Sequence, residues 1–115
     1  MQTLKRLTIY ISDSVYIEDE PLYKVLLRKA HALDLAGATV SRCVDGFGAN
    51  TRLKKRSLLD SINPVAPLCI EIIDSLEYIE KLLPFIEEYV NKGIVIMEDV
   101  QVLKYARADN IKGKA

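Results

Sequence analysis

Leu7, Ile9 and Ile11 alternate with Thr8 and Tyr10, the period-two pattern of a strand with one face in a core. The segment SDSVYIEDEP then turns the chain. Asp19 or Glu20 is expected to cap a helix with Pro21 in its first turn, where a missing N–H costs nothing. Leu22, Leu26, Ala30 and Leu33 recur at helical spacing with Val25 beside them. Gly37 stands where that helix should end in a left-handed residue. ATVSRCVDGF, residues 38–47, reads as a second strand, with Val40 and Val44 on one face and Thr39, Ser41, Cys43 and Phe47 on the other.

Residues 48–66 keep neither period, although RSLLDSI can form a helical turn. LCIEIID is a third strand with Leu68, Ile70 and Ile72 on one face and Cys69, Glu71 and Ile73 on the other. Asp74, with Glu77 three residues on, resembles a capping box. Leu76, Ile79, Leu83, Ile86 and Val90 stripe the second helix, which Pro84 should kink or split. Asn91-Lys92-Gly93 ends it. IVIMEDVQVLKY is a fourth strand, with a bulge expected at Glu98–Asp99, and residues 106–115 read as a frayed, flexible tail.

The order β-α-β-β-α-β predicts an α+β, ferredoxin-like domain over residues 1–105, with a four-stranded antiparallel sheet. Two helices cover only one side of such a sheet. On the opposite side this register places Tyr10, Cys43, Phe47, Cys69, Ile73, Val95, Met97, Leu103 and Tyr105. An apolar face of that size is expected to be covered by other copies of the chain.

Composition narrows the function classes. Of 115 residues 50% are hydrophobic, and 16 acidic side chains balance 16 basic ones. General nucleic-acid binding is therefore disfavoured, and only a local basic patch could argue for it. Two cysteines and one histidine are too few for an ordinary four-ligand zinc site in one chain. Cys43 and Cys69 fit a reduced, cytoplasmic protein, in which they are two packed thiols. The N-terminus runs straight into a strand and shows neither a signal peptide nor a membrane span.

The candidate chemistry lies in VDGFGANTRLKKRS, residues 44–57. It is not a P-loop, because the glycines follow a strand without opening a helix. Nor does it serve as an RNA-recognition signature. Gly46, Phe47 and Gly48 match, but Asp45 replaces a base, and Ala49 and Arg52 stand where rings must stack. Two readings remain: a turn followed by solvated charge, or an anion site made of exposed N–H groups with Arg52, Lys54, Lys55 and Arg56. Arg42, between Val40 and Val44, needs a carboxylate or an exit to water, with Glu71 across a subunit boundary as one partner. His31, beside Arg28 and Lys29, reads as a surface residue. No catalytic set is recognised, and the sequence does not identify a cofactor.

EPLYKVLLRKAHALDLAGATVSRCVDGFGA, PLCIEIIDSLEYIEKLLP and GIVIMEDVQVLKY together resemble the bacterial and archaeal family called domain of unknown function 190, over residues 4–105. Gly37-Ala38-Thr39-Val40, Arg42 and Gly46-Phe47-Gly48 carry the resemblance, supported by the Pro67–Asp74 strand and Glu98-Asp99-Val100. It implies a PII-like protomer, a homotrimer with facing sheets, and a small anionic ligand, often an adenine nucleotide, in clefts between subunits. The loop after the second strand would then be mobile and would respond to the ligand or touch a protein partner. Signalling PII proteins carry a glycine-rich basic loop before the last strand, where this chain has only Asn91-Lys92-Gly93. Their nucleotide site therefore does not transfer directly. The expected function is regulatory ligand sensing, with Arg42, Gly46, Phe47, Gly48, Arg52, Lys54, Lys55 and Arg56 as binding residues and no membrane insertion. A small trimeric enzyme with an intersubunit site and a ligand-free assembly subunit are the alternatives.

Overall fold

The structure, a computed structural model, describes residues 2–43 and 67–106. The elements are β1 (Gln2–Ser12), β2 (Tyr16–Ile17), β3 (Glu20–Pro21), α1 (Leu22–Ala32), β4 (Thr39–Arg42), β5 (Pro67–Asp74), α2 (Leu76–Tyr89) and β6 (Ile94–Val102). Four strands form one sheet in the order β4-β5-β1-β6, with every neighbouring pair antiparallel. The crossover β1-α1-β4 encloses β5, and β5-α2-β6 encloses β1. This is the split βαβ arrangement that the element order predicts.

Period-two patterning explains the core. Leu7, Ile9 and Ile11 of β1 and Leu68, Ile70 and Ile72 of β5 project to the same side and are buried. Leu22, Leu26 and Ala30 of α1 and Ile79, Leu82 and Ile86 of α2 close over them. The α2 stripe is rotated from the expected one. Leu82 is fully buried, Leu83 packs at the margin and Leu76 is exposed. Pro84 neither splits nor ends α2, which continues to Tyr89. The carbonyl it leaves without a helical donor belongs to Glu80, and both residues are exposed, so that oxygen is open to solvent.

Several local expectations change. Pro21 itself occupies the cap position of α1 and makes no side-chain cap bond. Glu20 is instead engaged by Arg28, whose Nη2 and Nη1 donate to Oε1 and Oε2 at 2.7 and 3.0 Å. That hydrogen bond holds the Glu20 carboxyl below its usual pKa. The turn before α1 contains the short β2–β3 hairpin, with Glu18 at φ 57°.

The left-handed residue after α1 is Asp34, φ 66°, not Gly37. At the second helix the cap is Ser75, whose Oγ accepts from the Tyr78 N–H at 3.4 Å. Asp74 turns back to accept from Ser75 N–H and Ala36 N–H, pinning the α1–β4 connection to the end of β5. Ser75→Ala is expected to lower stability by about 1 kcal/mol, measured by urea unfolding. Asp74→Asn turns an amide nitrogen toward one of the two N–H groups that the carboxylate accepts, and should cost at least as much.

β6 runs against β1 without a bulge, from Gln2↔Val102 to Tyr10↔Ile94. The unbroken register places Val95 and Met97 opposite Ile9 and Leu7, on the helix side. Ile94 and Ile96 stand opposite Tyr10 and Thr8, on the other side. The expected faces of this strand are therefore exchanged. Apolar residues occupy both parities of IVIM, so alternation could not choose between them. Regular pairing ends at Val102, leaving Leu103 and Tyr105 beyond the strand.

Candidate functional site

The sheet face away from the helices is uncovered in the protomer. Tyr10 is 42% exposed, Ile94 60% and Ile96 44%, and Ile73 and Tyr105 are also open. An ion pair borders this apolar surface: Arg6 Nε donates to Glu98 Oε1 at 3.0 Å, which raises the arginine pKa. On the opposite side of the same two strands Lys5 pairs with Asp99. Both pairs are exposed, so they contribute register more than stability.

An open groove of about 420 Å³ lies at one end of this face. Gly37, Ala38 and Thr39 form one side, Glu71 and Ile73 of β5 the floor, and Val102 and Tyr105 the other side. Thr39 stands directly opposite Glu71 in the β4–β5 ladder, so their side chains share this face. A Cβ added at Gly37 would meet nothing within 4 Å, and Gly37 has no positive φ. The protomer's own packing therefore does not require glycine there. The missing side chain keeps the groove open.

Arg42 is placed elsewhere. It lies opposite Leu68 at the end of β4, on the helix side, and its Nη1 donates to Asp13 Oδ2 at 2.5 Å. The partner within the chain is thus Asp13 of the turn after β1 rather than Glu71. The chain reverses direction after β1, which brings Asp13 to the end of β4, a proximity that residue spacing does not encode. Glu71 is exposed and near Arg6, whose pKa it helps to raise. His31 is exposed in the last turn of α1. Val44, Gly46, Phe47, Gly48, Arg52, Lys54, Lys55 and Arg56, the 48–66 loop and residues 107–115 of the tail lie outside the described residues. Among the described residues no cluster of three or more His, Cys, Asp or Glu could hold a metal. Among them, too, no helix is long and apolar enough to cross a membrane.

The family model DUF190 (Uncharacterized ACR, COG1993) matches residues 4–102. The chain belongs to the DUF190 family. Among its curated relatives is a UPF0166 protein of Aquifex aeolicus, 37% identical over 101 residues that cover 86% of this chain and 92% of that one. Another is a UPF0166 protein of Methanocaldococcus jannaschii, 31% identical over 87% of this chain and 92% of its own.

Solved structures place this DUF190 chain in the PII-like fold. CPII from Thiomonas intermedia, a structure with ADP, AMP and acetate, superposes with a TM-score of 0.64 at 17% identity, covering 89% of this chain and 90% of that one. CPII with ADP and bicarbonate gives 0.61 at 20% identity, covering 90% and 91%. A putative PII-like signaling protein of Thermus thermophilus gives 0.58 at 23% identity, covering 87% and 89%. These neighbours share the βαββαβ architecture, which confirms the expected fold class.

Thr39, Ile73, Val102 and Tyr105 were not singled out as binding residues from the sequence. The first belongs to the Gly37-Ala38-Thr39-Val40 signature, and Ile73 and Tyr105 to the predicted outer face. Val102 and Tyr105 join them only because β6 returns alongside β1.

Proposed function

We propose that this DUF190 protein is a PII-like regulatory protein that binds a small anionic ligand, nucleotides being the leading class, in a cleft completed by another copy of the chain. The observation that carries the reading is the groove at Gly37–Thr39, Glu71, Ile73 and Tyr105, on the sheet face that the helices leave uncovered. Its chemistry suits the ring end of such a ligand. Ile73 and Val102 offer apolar walls, Tyr105 an aromatic face, Thr39 a hydroxyl and Glu71 a carboxylate that accepts from an exocyclic amine.

The groove lining contains no cation. The anionic end would therefore be met by Arg52, Lys54, Lys55 and Arg56, which follow Gly46-Phe47-Gly48 in the sequence. With Arg42 engaged by Asp13, its part is to support that end of β4 rather than to lead the contact. The CPII structures contain ADP, AMP and small carboxylates or bicarbonate, which makes those compounds the first to test. Trimerisation through the uncovered face fits a cyclic assembly in which each copy supplies half of a cleft. The likeness to CPII and to a putative PII-like signaling protein favours a binding role over catalysis.

Thermal unfolding with ADP, AMP, ATP, bicarbonate and acetate tests this reading. A ligand at about a hundred times its Kd should stabilise the native protein by about 2.7 kcal/mol. Gly37→Leu, whose Cβ enters open space and whose side chain occupies the groove, should abolish that shift while leaving the ligand-free transition near its wild-type position. Alanine at Lys54 and Lys55 should weaken binding and its salt dependence. A panel without any shift would overturn the nucleotide reading, and an unaltered shift in Gly37→Leu would move the site elsewhere.

A further inference from the structure

The two cysteines of the chain come together on the outer sheet face. Ser41 and Cys69 are paired residues of β4 and β5, and the Cys43 N–H donates to the Pro67 carbonyl at 3.0 Å, continuing that ladder two residues further. Cys43 and Cys69 are thus diagonal neighbours on one face of adjacent strands. Both are free and half-buried. Tyr10 of β1 lies directly opposite Cys69 on its other side, so Tyr10, Cys69 and Ser41 form a row across β1, β5 and β4, with Cys43 diagonal to it.

We propose that Cys43 and Cys69 form a two-thiolate site for one soft monovalent cation of the Cu(I) class. Diagonal partners in an antiparallel pair have Cα atoms about 7–8 Å apart, with Cβ atoms somewhat closer. That is wider than the roughly 4.4–6.8 Å of a disulfide, whose sulfurs must approach to about 2.05 Å. Two metal–sulfur bonds of about 2.3 Å span a larger gap. The strand geometry therefore suits a bridging ion better than a direct S–S bond.

The surroundings choose the ion. No third His, Cys, Asp or Glu gathers with the pair among the described residues, which disfavours tetrahedral zinc. Two thiolates alone suit a soft cation that accepts linear coordination. Binding releases one proton from each thiol and changes no oxidation state, so no further reactant is needed.

The test uses the full chain, fully reduced and free of oxygen, titrated with Cu(I) supplied as its bicinchoninate complex. One cation should be taken up per chain, with both thiols then protected from an aromatic disulfide reagent. Cys43→Ser and Cys69→Ser should each abolish uptake while the far-ultraviolet dichroism is unchanged. If a variant fails to fold, protection of both thiols that appears in the wild-type chain only after Cu(I) is added still decides the matter, since burial between copies would protect them without the ion. The proposal is overturned by absence of uptake, by uptake that survives either single substitution, or by one cation shared among several chains. Ready formation of an intrachain disulfide in air would also overturn it, since the sulfurs would then be too close for a bridging ion.

Discussion

Replacing Gly93 by alanine is expected to cost the protein about 3–5 kcal/mol, the sum of backbone strain and steric overlap. Gly93 ends the connection between α2 and β6 at φ 137°, a region that side-chain-bearing residues rarely adopt. A Cβ there would lie 2.2 Å from the Tyr10 carbonyl oxygen and 3.1 Å from Ile11 Cγ2. The oxygen belongs to the central strand, so it cannot move aside as the end of a flexible side chain could. Relief would require separating the start of β6 from β1 where Tyr10 pairs with Ile94. Urea unfolding monitored by far-ultraviolet dichroism measures the loss. A change below about 1 kcal/mol, the ordinary helix-interior cost of a Gly/Ala exchange, would show that the turn is not held as described. Gly37→Ala is the matched control. Its Cβ enters open space, and its stability should stay within about 0.5 kcal/mol of wild type.

The second large effect is on assembly. Sedimentation velocity of the wild-type chain should show the trimer proposed above, and Ile96→Lys should sediment as a monomer. Ile96 is 44% exposed in the protomer, on the face shared by Tyr10, Ile73 and Ile94, so a lysine there disturbs no core packing. In the assembly the same ammonium would be brought against apolar surface; its direct neighbour is Thr8, Glu71 lies one strand further along that row, and Glu98 on the same face is already engaged by Arg6. Tyr16→Lys, an equally exposed site in the β2–β3 hairpin, should leave the trimer intact. A monomeric wild type, or a trimer that persists in Ile96→Lys, would remove the facing-sheet arrangement. Loss of the ligand-induced thermal shift along with the trimer would place the binding site between copies.

Much of this protein follows from one-dimensional pattern. Leu7, Ile9 and Ile11, and then Leu68, Ile70 and Ile72, announce their strands and core faces because a two-residue period survives whatever the chain packs against. The spacing of Leu22, Leu26 and Ala30 does the same for α1, and the order of elements restricts the sheet to few topologies. What failed was local and degenerate. Four consecutive apolar residues at the start of β6 fit either face, and only pairing with β1 selected Val95 and Met97 for the helix side. Asp74 and Ser75 are both good caps in sequence, and the need of Ala36 N–H for an acceptor decided between them.

The sequence by itself determined the fold class and the existence of an apolar face that two helices cannot cover, which depend on periodicity, a property of neighbours along the chain. The family was legible in particular motifs, Gly37-Ala38-Thr39-Val40, Arg42 and Gly46-Phe47-Gly48, rather than in any period. The groove, the Arg42–Asp13 pair and the Cys43–Cys69 diagonal required the tertiary structure. Each joins residues from different elements, and their proximity is set by strand order and register. A side chain's chemistry can be read in isolation, but its partner is chosen by the sheet.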